Sequence, residues 1–185
     1  EQGSTLQKSM EILVALGRIY GAERLIPIKS AQISGVSLKT IGEGGLAYLN
    51  KLEGRVKVPS WLNPAGLDRK CWREMGISRE FAEKQLEIIR AYERLGVKAE
   101  CTCTPYYLLR IKKGDHLAWA ESSAIIYANS VIGALTNREG APGALAAALT
   151  GKTPNYGLHV KRNRAPNVMM EVKFELRSSD YSALG

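Results

Sequence analysis

The sequence predicts an α/β fold, a parallel sheet flanked by helices. Three strand-then-loop units separated by helical stretches fill the first hundred residues, the pattern of a parallel sheet. The third unit, Val97 to Tyr107 (V-K-A-E-C-T-C-T-P-Y-Y), sets Val97, Ala99, Cys101 and Cys103 against Lys98, Glu100, Thr102 and Thr104. That is the period-2 pattern of a strand with one buried face, and Pro105 ends it for want of a backbone donor.

Thr5 caps a first helix whose apolar positions Leu6, Met10, Leu13, Leu16 and Tyr20 keep helical spacing up to Gly21. Arg24 to Ile28 reads as a short strand, with Pro27 placing it at an edge, and S-A-Q-I-S-G follows as a polar loop. A second helix covers Leu38 to Leu52, weakened by about 1 kcal/mol for each of Gly44 and Gly45. Arg55 to Val58 is a second strand, ended by Pro59 and followed by the loop S-W-L-N-P-A-G.

Ser78 caps a third helix in which Phe81, Leu86, Ile89, Tyr92 and Leu95 face the core, and Gly96 stops it. His116 to Ala120 is a further strand. A helix from about Ala124 to Ile132 follows, capped by Ser122 or Ser123 and broken by T-N-R-E-G. Pro142 opens another helix that Gly151 closes. Val168, Met170, Val172, Phe174 and Leu176 alternate with polar partners, so a half-buried strand is expected at the end. Glu1 is no initiator methionine, and Ser178 to Gly185 reads as the opening of a helix, so a piece of a longer chain is expected. Two units are expected: residues 1–108, carrying the cysteine motif, and residues 109–185, an incomplete second α/β segment.

With 185 residues, 45% hydrophobic and 24% charged, the chain can bury a substantial core. No apolar run approaches the roughly 18 residues of a membrane span, so no membrane partner is expected and the default address is cytoplasmic. Three cysteines with a single close C-x-C pair do not form a disulfide framework; free thiols fit a reducing compartment. The net charge of +8 suits nucleic acid, a membrane surface or a small anionic ligand. Most basic residues are interleaved with acidic ones, however, and the excess at His159 to Arg164 is too short for a nucleic-acid arm, so no nucleic-acid partner is expected.

If the sheet is parallel, Ser30 and Gln32, then Asn63, then Cys103 and Thr104 converge at one edge. Two small residues on the inner face of a strand are ordinarily core, whereas a thiol at the strand end can do chemistry. Both readings stay open on the residues alone. His116 and His159 read as surface or hydrogen-bonded core residues, and no nucleophile elbow, zincin helix or phosphate loop is present.

The segments S-A-Q-I-S-G-V-S (30–37), L-N-P-A-G-L-D (62–68), C-T-C-T-P-Y (101–106) and W-A-E-S-S-A-I-I-Y-A-N-S-V-I-G-A-L-T-N-R-E-G (119–140) resemble the aconitase X family in order and spacing. The resemblance implies an aconitase-like fold and a hydro-lyase with an iron–sulfur cluster, of the 4Fe–4S type. It also implies a small swivel-domain subunit that completes the site and a small anionic substrate. Archaeal two-subunit members dehydrate mevalonate 5-phosphate; a bacterial branch dehydrates cis-3-hydroxyproline. Three cysteines hold an aconitase-type cluster and leave one iron open as a Lewis acid. The resemblance assigns one ligand to Cys103, with Cys101 as the alternative; Cys71 lies outside the motifs, and the other two ligands are expected beyond Gly185. It further implies that Ser30, Asn63, Glu121, Ser122, Ser123, Asn129 and Arg138 line the substrate pocket, with Glu121 orienting a water or ligand and Arg138 pairing with a carboxylate. The base is expected on the swivelling partner, so none is assigned here.

Overall fold

In the computed structural model of the protein, which describes residues 2–177 and 180, the elements run α1 (Gln2–Ile19), β1 (Leu25–Pro27), β2 (Ala31–Ile33), α2 (Leu38–Lys51), β3 (Ser60–Leu62), α3 (Arg79–Arg94), α4 (Ser122–Tyr127), α5 (Ala141–Thr150) and β4 (Lys152–Pro154). A thin parallel sheet forms the middle. β2 and β3 pair in register Ala31↔Ser60, Gln32↔Trp61 and Ile33↔Leu62. Isolated parallel bridges extend the sheet: Lys98 to Trp61 on one side, Ala118 to Ala31 on the other, and Leu135 and Arg138 to His116 and Trp119 beyond that. The expected parallel sheet is therefore present, drawn from both sides of residue 108.

The two faces divide by the strand period of two. Ala31, Ile33, Leu62 and Ala118 join the main core with Leu13 of α1, Leu46 and Leu49 of α2, Ile88 and Ile89 of α3, and α5. α5 is apolar on nearly every side, as a helix enclosed by other elements must be. Leu117 and Trp119 point the other way and form a second cluster with Ala124, Ile125 and Ala128 of α4 and its π-helical continuation, Ala128–Ile132. β1 pairs antiparallel with β4, and Pro27 sits in this two-stranded ribbon as an edge residue, as expected.

The capped helices stand where the sequence puts them. The Ser78 hydroxyl accepts from the Phe81 N–H, and α5 runs from the Gly140 cap to left-handed Gly151. The buried stripe of α3 is nevertheless rotated: Phe81 and Leu86 are only half-buried, while Gln85 is fully enclosed. Its side chain accepts from the Leu38 N–H at 3.0 Å and donates to the Val36 carbonyl, holding the β2–α2 connection. The weak point of α2 is Gly42, at φ 60°, where the helix kinks, rather than the Gly44-Gly45 pair.

Other expectations need correction. Thr5 does not cap α1; it lies inside the helix, buried, and its hydroxyl accepts from the Glu53 N–H. The stretch S-A-Q-I-S-G is not a loop but contains β2, and the second strand is Ser60–Leu62 rather than Arg55 to Val58. Both true strands are buried on both faces, which removes the alternation that marks a half-exposed strand. The Val97–Thr104 strand reduces to the Lys98 bridge, because Cys101 adopts φ 50° and turns the chain out of the ladder. The α4 cap is Glu121, not Ser122 or Ser123, and the residues of T-N-R-E-G form the strand-like segment beside His116–Trp119.

Val168 to Leu176 forms no strand: nothing among the described residues pairs with it, and Val168, Met170 and Phe174 are exposed. A strand needs a neighbour for its backbone groups. The helix opening expected at Ser178 to Gly185 lies outside the described residues, apart from Asp180.

Gln85→Leu strands the Leu38 N–H and the Val36 carbonyl. It is expected to cost about 1–3 kcal/mol in urea unfolding, against about 0.5 kcal/mol or less for exposed Gln7→Leu. Equal effects would contradict the role assigned to the Gln85 amide.

Candidate functional site

Parallel strands release the chain at one edge, and that edge collects the polar residues. Asn63 follows β3, its N–H donating to the Ile33 carbonyl at 3.0 Å. Its Nδ2 donates to Glu121 Oε2 at 2.9 Å, which joins the end of β3 to the residue that follows the 116–119 segment and caps α4. The Asn63 Oδ1 is buried and receives no hydrogen bond. A buried carbonyl oxygen without a donor is costly, so this atom marks a place where a water, a hydroxyl or a cation belongs.

The cysteine loop reaches the same edge. The Thr102 N–H donates to the Leu62 carbonyl at 2.9 Å, and Gln32 Nε2 donates to the Thr102 carbonyl at 2.9 Å. The Thr104 N–H closes a turn on the Thr102 hydroxyl at 2.9 Å, with Cys103 at its middle. Pro105–Tyr107 follows as a short 3-10 turn, and Tyr106 stacks on Tyr127 of α4 with ring centroids 4.2 Å apart. Burial pushes the Cys103 thiol above its usual range, and the neighbouring Glu121 charge adds to that.

Cys101 is placed differently. It packs against the main core, burial raises its thiol, and Arg69, Glu93 and Glu100 are the charges around it. The two thiols do not share a strand face as expected, because the left-handed turn at Cys101 breaks the alternation. Cys71 is exposed and lies outside the motifs, three residues after the 62–68 stretch.

Of the remaining candidates, Ser122 and Ser123 are exposed in the first turn of α4 beside Glu121, and exposed Arg138 ends the 135–138 segment. Ser30 and Asn129 have structural engagements instead. The Ser30 hydroxyl is fully buried and accepts from Trp119 Nε1 at 2.9 Å. Asn129 donates to the Ile125 and Thr136 carbonyls at 2.9 Å each and accepts from Arg164. That arginine, part of the basic excess at His159 to Arg164, also donates to the Asn129 carbonyl and is thereby folded into the structure.

One buried ionisable group, Glu139, escaped the sequence reading. Glu139 is buried, and burial lifts its carboxyl to about 7 against a weak Thr153 hydrogen bond that lowers it. His159 is buried with Nδ1 3.0 Å from His116 Nδ1, and burial with the neighbouring charges pushes it down to about 4. The pairing bears out the reading of both histidines as hydrogen-bonded residues. Among the described residues no group of three or more His, Cys, Asp or Glu stands ready for a metal ion. The edge brings together a single thiol, a carboxylate and an orphaned carbonyl oxygen.

Residues 1–162 match the family model described as the aconitase X first domain. The chain is 63% identical over 187 residues to a Methanosarcina mazei protein named phosphomevalonate dehydratase large subunit, covering 100% of this chain and 47% of that protein. It is 36% identical over 192 residues to a Pseudomonas aeruginosa cis-3-hydroxy-L-proline dehydratase, covering 100% of this chain and 33% of that protein. The crystal structure of Thermococcus kodakaraensis aconitase X in its holo form superposes with TM-score 0.86 at 52% identity, covering 97% of this chain and 46% of that one. The chain thus spans about half the length of the archaeal relatives it matches.

Glu139 gives a pH test. Its folded value of about 7 lies above the ordinary 4.5, so the stability it contributes is complete below 4.5 and is lost as pH rises through 7. The loss is on the order of 3 kcal/mol, and Glu139→Gln removes it. Urea midpoints are expected to show the variant gaining on the parent between pH 5 and pH 8; a difference independent of pH would contradict the assignment.

Proposed function

This chain belongs to the aconitase X family, and on that premise we propose that it is the first part of the large subunit of a hydro-lyase that dehydrates mevalonate 5-phosphate in archaeal isoprenoid synthesis. One observation carries the reading: Cys103, Glu121 and Asn63 gather at the carboxyl edge of a sheet whose fold is aconitase-like. The substrate assignment rests on relatives of 43% to 63% identity that bear the phosphomevalonate name, against 36% and 34% for the hydroxyproline enzymes. A net charge of +8 suits a phosphorylated carboxylate. The full enzyme pairs with a small swivel-domain subunit and works in the cytoplasm.

Within this reading Cys103, as a thiolate, would be one of the residues that hold an iron–sulfur cluster of the 4Fe–4S type. The other ligands come from outside this chain. When bound, the cluster supplies a Lewis acid for the departing hydroxyl. Asn63 Oδ1 accepts a hydrogen bond from a substrate hydroxyl or a water. Its amide end meanwhile keeps the Glu121 carboxylate in place as a second acceptor. The Ser122 and Ser123 hydroxyls offer polar contacts at the mouth, and Arg138 pairs through its planar fork with a substrate carboxylate. Ser30 and Asn129, whose polar atoms are engaged internally, are not in the proposed pocket. Residues 1–108 thus bring Asn63 and Cys103, and the part from 109 brings Glu121 and Arg138.

The full-length large subunit with its small subunit is expected to dehydrate mevalonate 5-phosphate and leave cis-3-hydroxyproline untouched; turnover of hydroxyproline alone would overturn the substrate assignment. In that complex Cys103→Ala is expected to lose cluster absorbance, iron and activity while keeping its thermal midpoint. Cys101→Ala should behave as a small core truncation costing on the order of 1 kcal/mol, with the cluster retained. The opposite pattern would move the ligand to Cys101, and retention in both variants would remove the cysteine motif from the cluster.

A further inference from the structure

The glutamine at the centre of the sheet has a role that the site chemistry alone does not assign. Gln32 is wholly enclosed in β2, in register with Trp61 of β3, and its neighbour Ala31 is bridged to Ala118, so Trp119 stands on its other side. By strand alternation all three residues share the face opposite the main core. An apolar side chain would fill such a position more cheaply, since a buried amide is stable only when it is hydrogen-bonded. Both ends of Gln32 are bonded, and both bonds lead to the site. Nε2 donates to the Thr102 carbonyl at 2.9 Å, the peptide immediately before Cys103. Oε1 accepts from the Glu121 N–H at 3.1 Å. The two segments meet the same amide although Thr102 and Glu121 stand 19 positions apart in the chain.

We propose that Gln32 is a positioning residue, a buried clamp that sets the Cys103 turn against Glu121 before any cluster or substrate binds. Asn63 completes the arrangement from β3 by holding the Glu121 carboxylate. Without Gln32 the Thr102 carbonyl and the Glu121 N–H lose their side-chain partner, and the Thr102–Thr104 turn keeps its own hydroxyl bonds, the Leu62 carbonyl and the Tyr107 N–H on the Thr104 carbonyl. This proposal rests on the reading of Cys103 as a site residue, but its test does not need the cluster.

The test is peptide-resolved alkylation of the unloaded full-length subunit with iodoacetamide, comparing parent, Gln32→Met, Gln32→Glu and the remote core variant Leu13→Ala. Gln32→Met removes both bonds at similar volume, and Gln32→Glu keeps the acceptor and removes the donor. Both are expected to raise labelling of Cys103 at least about ten-fold while Cys101 in the same sample stays within about two-fold. Leu13→Ala is expected to lower the thermal midpoint without selective change at Cys103. In the unaltered subunit the Glu121 amide is expected to exchange slowly with deuterium, which gives a measurement independent of any variant folding. Unchanged Cys103 labelling in the Gln32 variants, equal rises at both thiols, or an unprotected Glu121 amide would overturn the clamp. An inactive parent complex would instead count against the dehydratase reading and leave the labelling result standing.

Discussion

The parallel register of β2 between β3 and the 116–119 segment is the constraint on which the rest depends. It fixes two things at once: the row Trp61, Gln32, Trp119 on one face, and the convergence of Asn63, Cys103 and Glu121 at one edge. The strands are only three residues long, so few ladder bonds hold the edge together. Side chains do much of that joining instead. Gln32, Asn63 and the Ser30–Trp119 bond tie neighbouring segments where longer strands would have used backbone pairs. Packing and site geometry thus share the same hydrogen bonds, and disturbing one disturbs the other.

Beyond the edge, the second half of the chain holds ionisable groups away from water. Glu139 and His159 are buried, and each is driven by that burial toward its neutral form. The 3.0 Å contact between the two imidazoles needs one Nδ1–H and one bare Nδ1. With His159 as the donor, its buried Nε2 is a bare lone pair and half-exposed His116 keeps its Nε2–H. That tautomer avoids burying an unpaired donor.

What could be read from the sequence followed the physics of each element. Helices announced themselves where capping residues bracket an apolar stripe, as at Ser78 and Gly96 or Pro142 and Gly151. Strands buried on both faces show no alternation, so Ser60–Leu62 carries a weaker strand pattern than Val56 and Val58, and Gln32 gives a central strand the composition of a loop. The tail from Val168 shows the converse, alternation with no neighbouring strand among the described residues to pair with. At the site, the strand-end argument found the Asn63 and Cys103 positions, and the family motifs added Glu121. The Cys101 turn at φ 50° and the Gln32 clamp depend on tertiary contacts that no local pattern encodes.

The central proposal is that this edge, through Cys103, supplies one ligand of an iron–sulfur cluster. The most direct measurement is iron anomalous diffraction from crystals of the anaerobically reconstituted full-length large subunit with its small subunit. The account predicts an anomalous peak bonded to Cys103 Sγ, on the side of the sheet edge where Asn63 and Glu121 meet. A fully loaded complex whose iron lies elsewhere, with Cys103 unligated, would contradict it.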